Sequence, residues 1–291
     1  MTAKPDPRRG APARFGQANV LRGLAAAVTG EVISLNLELD DPNPPFGRGR
    51  FERSARLHNQ VRPLPDGRHI VVNDDEVRLA LQGSSQWDSF AHFGVIGDEV
   101  PGIYHGGAGL DETHPQAAGR NLGIQALGPG IVTRGVLVDA VAELADGAPY
   151  LGGDVRIGRA ELLACMERQQ TVIEPGDAVL VHTGFQRRRA ALDGSYPPDV
   201  AGLDGSTVEL WRDWQVLAVC SDNPAVEAAP MDYEIHIRVL RDQGVPLGEL
   251  WALDELATAC NADGRYTFCL VGVPLAIHGA FGSPANAIAI R

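Results

Sequence analysis

Apolar and polar positions alternate clearly in two places near the start of the chain. Ile33, Leu35, Leu37 and Leu39 alternate with Ser34, Asn36 and Glu38, the period-two pattern of a half-buried strand. Val77, Leu79 and Leu81 repeat it and lead into a polar segment. Four apolar runs have no polar gap: Gly135–Val138, Ala178–Val181, Val216–Cys220 and Phe268–Val273. Runs of that kind suit strands buried on both faces. Between them Leu162, Cys165 and Met166 share one helical face, and Asp254–Cys260 continues in helical style after Trp251. Glu174-Pro-Gly-Asp177 is a tight turn feeding the strand at Ala178. Alternation of strand and helix signals predicts one α/β domain built on a mixed sheet. No internal repeat or Ser/Gly linker divides the chain. Residues 1–18, rich in Pro, Gly and Arg, are expected to form a flexible N-terminal tail, leaving 19–291 as the domain.

Composition removes several classes of partner. The 291 residues carry 25 Lys+Arg against 37 Asp+Glu, a net charge of −12, and a hydrophobic content of 44% suits a folded protein. Such an acid excess repels phosphate backbones and anionic membranes, so neither nucleic acid nor a membrane is expected as a partner. The basic N-terminus has no apolar stretch behind it and does not read as a secretory signal. The uncharged stretch Tyr266–Ile290 is interrupted by Gly272, Pro274, His278, Gly279, Gly282 and Pro284, and reads as a strand and loop. Cys165, Cys220, Cys260 and Cys269 form no C-x-x-C pair and suit the core of a protein in a reducing compartment. A cytoplasmic location follows as the expectation. There is no G-x-S-x-G elbow, P-loop or H-E-x-x-H helix.

The candidate chemistry lies in Leu81–Gly94, which gathers Gln82, Gln86, Asp88 and His92. An extended backbone puts Gln82, Gln86 and Asp88 on one side. Those groups can bind a divalent cation, with carboxylate supplying charge and imidazole moving a proton. They can equally form a polar turn in which Asp88 caps a helix. Trp87 either walls a pocket and stacks on a planar substrate or belongs to the core. Tyr104 and His105 stand in the following loop, where they could line an entrance.

The segment Gln-Gly-Ser-Ser-Gln-Trp-Asp-Ser-Phe-Ala-His-Phe-Gly resembles the signature of the metal-dependent cyclase/hydrolase family that includes bacterial kynurenine formamidase, isatin hydrolase and trans-dienelactone hydrolase. The formamidase branch reads H-x-G-T-H-x-D-x-P-x-H, so Asp88 and His92 match its last acid and last histidine. Gln82 and Gln86 stand where that branch has metal-binding histidines. The family also carries a helical histidine followed twelve or thirteen residues later by a glutamate; here His236 precedes Glu249 by thirteen. Arg134–Asp139, Glu174–Gly184 and Gly282-Ser-Pro284 resemble further landmarks, so the similarity runs from about Val20 to the end.

The resemblance implies a single α/β domain with a barrel-like mixed sheet flanked by helices. It implies Gln86, Asp88, His92, His236 and Glu249 around a divalent metal, Zn²⁺ or alternatively Mn²⁺. It also implies a metal-activated water that opens a lactone, amide or imide bond of a small molecule, His92 as proton shuttle beside Asp88, and a homo-oligomer, a dimer or tetramer. Two other readings stay open on the residues. One is a tailoring cyclase, dehydratase or isomerase with Asp88 and His92 as its acid–base pair; the other is a non-catalytic binding protein.

Overall fold

The computed structural model describes residues 9–97, 102–113 and 122–291. Early strands are β1 (Val32–Ser34), β2 (Glu52–Pro63), β3 (His69–Arg78) and β4 (Gln86–Asp88). The middle of the chain supplies β5 (Ile131–Asp139), β6 (Arg156–Ile157), β7 (Ala178–His182), β8 (Gly202–Leu203) and β9 (Ala218–Ser221). The last are β10 (Leu247–Glu249), β11 (Thr267–Gly272), β12 (Gly282–Pro284) and β13 (Ala287–Ile290). Nine of these form one sheet in the order β1-β13-β11-β5-β7-β9-β10-β4-β12. Strands β5, β7, β9 and β10 run parallel, and antiparallel strands flank them on both sides.

The sheet curls into a half-barrel, and chain connectivity shows why. Strand β12 is one edge, and β13 lies next to the other, yet only Ala285 and Asn286 join them. Such a link reaches roughly 10 Å at most, so the two margins must come together. The Ala285 N–H donates to the Ser85 carbonyl at 2.8 Å, and the Leu35 N–H donates to the Ala287 carbonyl at 3.0 Å. Helices flank this core, among them α1 (Gln17–Ala25), α2 (Ala140–Leu144) and α3 (Arg159–Arg168). The later ones are α4 (Phe185–Ala191), α5 (Val208–Asp213) and α6 (Asp254–Asp263). The apolar runs read from sequence fall on the largely buried strands β5, β7, β9 and β11, in keeping with cover on both faces. Among the described residues no helix is long and apolar enough to cross a membrane.

One feature departs from the sequence reading. Strands β2 and β3 form a separate hairpin, pairing with no other strand, where only Val77–Leu81 read as extended. Nearly every residue of that hairpin is exposed on both faces, so it carries no in/out alternation to detect. The expected tail is described in part. Residues 1–8 lie outside the described residues, but Arg9–Ala18 is docked: Ala11 is buried and its N–H donates to the Gly244 carbonyl at 2.6 Å. A Cβ on Gly10 would come within 2.3 Å of that same carbonyl, so the contact depends on glycine.

Candidate active site

Register alone assembles half of the site. Strand β4 turns Gln86 and Asp88 to one side and Trp87 to the other. Antiparallel pairing with β10 sets Glu249 opposite Gln86, so their side chains share a face. The Gln86 amide Nε2 donates to Glu249 Oε2 at 2.5 Å and to Asp88 Oδ1 at 3.3 Å. Its oxygen accepts from Arg48 Nη1 at 3.2 Å. Gln86 therefore acts as a clamp between acids. Its side-chain oxygen, the atom that would ligate a metal in the family pattern, faces the Arg48 guanidinium here.

The other half comes from a π-helix, His236–Asp242, whose first residue enters the cluster. His236 Nε2 lies 3.3 Å from Glu249 Oε1, and Glu227 Oε1 accepts a short hydrogen bond from His236 Nδ1. Ligand atoms of Asp88, His92 and His236 all lie within 4.8 Å of one another. Asp88 is fully buried, and its Oδ2 has no hydrogen-bond partner among the described residues. An orphaned carboxylate oxygen is costly away from water. A cation between it and the His236 imidazole would remove that cost, so these donors fit a divalent metal.

The partner of each histidine's other nitrogen decides what the ring can do. Glu227 can only accept, so it holds a proton on Nδ1 of His236 and turns Nε2 inward as a ligand atom. Gln82 does the reverse for His92: its amide Nε2 donates to Nδ1 at 2.8 Å. A neutral His92 then carries its proton on Nε2, which points towards Asp88 Oδ1 3.9 Å away. In this tautomer His92 is an N–H donor and not a ligand; the opposite tautomer would ligate. Its side chain is 23% exposed, whereas Asp88, His236 and Glu249 are buried.

Charge follows the same layout. Burial opposes a charge on His236, but its bonds to Glu227 and Glu249, with the field of Asp88, raise its pKa to about 10. Burial and then the charge of Asp88 push Glu249 up to about 7, against the pull of His236. The two groups hold one proton between them, on the atom a cation would take. Burial lowers the pKa of His92 against the attraction of Asp88, so its ring is neutral.

Backbone strain surrounds the two glutamates. Val226, before Glu227, has φ 60°, and Leu250, after Glu249, has φ 56°. Left-handed backbone at a β-branched or bulky residue is a true outlier and gathers at functional sites. Sequence reasoning missed Glu227 and Arg48. Glu227 stands in an Asn-Pro-Ala-Val-Glu-Ala-Ala-Pro stretch nine residues before His236, with no spacing to mark it.

The three residues expected at the substrate make contacts of other kinds. Trp87 is fully buried on the opposite face, edge-on to Trp251 with centroids 4.8 Å apart. A Cβ on Gly272 would come 2.9 Å from its ring, so it is core. His105 is buried at the other end of the π-helix, where Nδ1 meets the Arg241 carbonyl at 2.7 Å and the ring packs on Phe90. Tyr104 packs its ring over Gly94 and ties its N–H to the Ala108 carbonyl. His182, at the end of β7, belongs to a separate buried network with Asp139 and Asp254.

Comparison with known proteins places the fold. A solved structure described as a novel cyclase is 30% identical, with a TM-score of 0.85, covering 98% of this chain and 95% of that one. Isatin hydrolase A from Labrenzia aggregata, solved with benzyl benzoate, is 20% identical with a TM-score of 0.61, covering 92% of this chain and 98% of that one. Isatin hydrolase A from Ralstonia solanacearum is 18% identical with a TM-score of 0.60, over 94% and 98% of the two chains. The isatin hydrolases share the fold. No curated protein matches the chain. The family model for cyclases matches residues 33–228, more than half the sequence, and the chain belongs to the cyclase family.

Proposed function

We propose that the protein is a metal-dependent hydrolase that opens an amide, lactone or imide bond of a small molecule. One observation carries the reading: the buried, unpartnered Asp88 Oδ2 in a 4.8 Å cluster with His92 and His236. Asp88 and His236 would hold the cation, Zn²⁺ or Mn²⁺, through Oδ2 and Nε2. A cation there polarises a carbonyl and acidifies water.

The chain's own residues divide the remaining work. His92, kept neutral and fixed by Gln82, presents Nε2–H to the carbonyl oxygen as charge develops on it. Glu249 Oε1 takes one proton from the attacking water and passes it to the leaving nitrogen or oxygen. The water oxygen bonds to the carbonyl carbon, the C–N or C–O bond breaks, and the water's second proton stays with the new acid. Glu227 keeps His236 oriented, and Gln86 keeps Glu249 and Asp88 apart. Arg48 adds positive charge at the margin.

A panel of lactones, N-acyl anilines and cyclic imides, turned over in ¹⁸O-water, tests the reading. The product should gain one heavy oxygen and the mass of water. A product with the mass of the substrate, or of the substrate less water, would replace hydrolysis by cyclase or isomerase chemistry.

A further inference from the structure

A cavity of about 400 Å³ is lined by Arg48, Leu81, Gln82, Ile277, His278 and Phe281 among others, and none of its lining residues is an acid. Gln82 ties it to the cluster, because the same residue holds His92 Nδ1 at 2.8 Å. His92 is the partly exposed member of the cluster, whereas Asp88, His236 and Glu249 are buried. A substrate therefore comes in past His92, and this cavity adjoins that approach.

Arg48 makes its hydrogen bonds through one nitrogen. Nη1 donates to the Gln82 carbonyl and, at 3.2 Å, to Gln86 Oε1. Nε and Nη2 have no partner among the described residues, and both are open to solvent. Nor does any acid among those residues pair with Arg48, although the chain carries twelve more acids than bases. The Nε–Nη2 edge of a guanidinium is a planar fork of two donors, which matches the two oxygens of a carboxylate.

The fork is also held in place. Phe46 packs its ring against the guanidinium, 5.1 Å from Cζ to the centroid, and the two acceptors on Nη1 fix the rotation. Phe46 keeps φ 58° while 59% exposed. Left-handed backbone at an aromatic residue costs free energy and gathers at functional sites. The Arg48 charge lies near enough to the cluster to pull down the pKa of both His92 and Glu249.

We propose that this cavity is a subsite for a carboxylate of the substrate, one that takes no part in the bond being broken, received by Nε and Nη2 of Arg48. Leu81, Ile277 and Phe281 face the hydrocarbon that joins this carboxylate to the reacting carbonyl, and Gln82 sets the separation between the two. The proposal rests on the hydrolase reading only in placing the reacting carbonyl at His92; holding the acid needs no turnover.

Unreactive ligands therefore test it. Calorimetry on the purified full chain, with and without EDTA, compares 3-phenylpropionate, 3-phenylpropionamide and inorganic phosphate. The wild type should bind the acid about ten-fold or more tightly than the amide, the worth of hydrogen bonds between charged groups, and phosphate more weakly than the acid. Arg48→Met removes the fork and should abolish the preference, while Arg48→Lys keeps a point charge and should retain only part of it. Ile277 is a 40% exposed lining residue, so Ile277→Asp should fold as wild type does, weaken the acid several-fold by like-charge repulsion and leave the amide nearly unchanged. Equal affinities for acid and amide in the wild type, no binding at the solubility limits, or a preference that survives Arg48→Met or is untouched by Ile277→Asp would each overturn the subsite. A preference that vanishes with EDTA would place the carboxylate on a cation instead, and phosphate binding as tightly as the acid would overturn the assignment to a carboxylate. Failure to hydrolyse any amide or lactone, with the expected affinities intact, would overturn only the hydrolase reading.

Discussion

The side-chain amide of Gln82 donates to Nδ1 of His92 at 2.8 Å. It leaves the proton of the neutral ring on Nε2, facing the cluster. Across the site Glu227 sets His236 the other way round, holding Nδ1 and turning Nε2 to the cluster. Two histidines in one cluster are thus given different tasks by one neighbour each.

Gln82→Leu should remove that assignment without touching the fold. The expected result is a fall in kcat of about ten- to a hundred-fold, the worth of one positioned donor, with KM changed less than kcat. Steady-state kinetics on the hydrolysed substrate check it, and an unchanged kcat would contradict the tautomer argument.

Trp87 is a core residue, so Trp87→Phe should cost stability and not function. A loss of about 1–3 kcal/mol is expected for the partly refilled space between Trp251 and Gly272. Denaturant unfolding measures the loss, and kinetics per folded molecule should match wild type. A large rise in KM at unchanged stability would return Trp87 to the substrate pocket.

His182 gives the fold a pH dependence of its own. Burial opposes its charge, but bonds to Asp139 at 2.8 Å and Asp254 at 3.0 Å, with Asp222 nearby, raise its pKa to about 10. Arg187 also reaches Asp254, and Asn261 donates to Asp139. In the unfolded chain the imidazole titrates near 6.5. Its stabilisation is therefore full below about pH 6.5 and is lost as pH rises towards 10. Unfolding free energies from pH 6 to 10 should fall for wild type and stay flatter for His182→Gln. Parallel profiles would show that the network does not hold a charged histidine.

The β2–β3 hairpin pairs only with itself, and Val61 and Val71 at its far end are each 59% exposed. Replacing residues 53–77 by a two-glycine turn should leave the nine-stranded sheet intact. A melting temperature within about 3 °C of wild type is expected for a segment that buries so little. Loss of cooperative unfolding would show that the hairpin supports the sheet.

What could be read from the sequence follows burial. Ala178–Val181 and Val216–Cys220 showed themselves because both faces of those strands are covered, so no polar residue interrupts them. The hairpin did not, since wet faces on both sides place no constraint on either. The parity of β4 was legible in principle: once Gln86 and Asp88 face the site, Trp87 must face the core. The segment Gln86–His92 and the pair His236 and Glu249 were visible through the family resemblance. Glu227 and Arg48 were not, because each reaches the cluster from a loop whose path depends on tertiary packing. The π-helix at His236 is a departure from ordinary helical register that no periodicity in the sequence announces.

The central claim is that Asp88 and His236 form a cation site while His92 stands beside it as an N–H donor. A calorimetric titration of Zn²⁺, repeated with Mn²⁺, into metal-free wild type, Asp88→Asn and His92→Ala tests it most directly. The account predicts one cation per chain in the wild type, its loss in Asp88→Asn, and its retention in His92→Ala. No binding to the wild type, or equal loss in both variants, would contradict it.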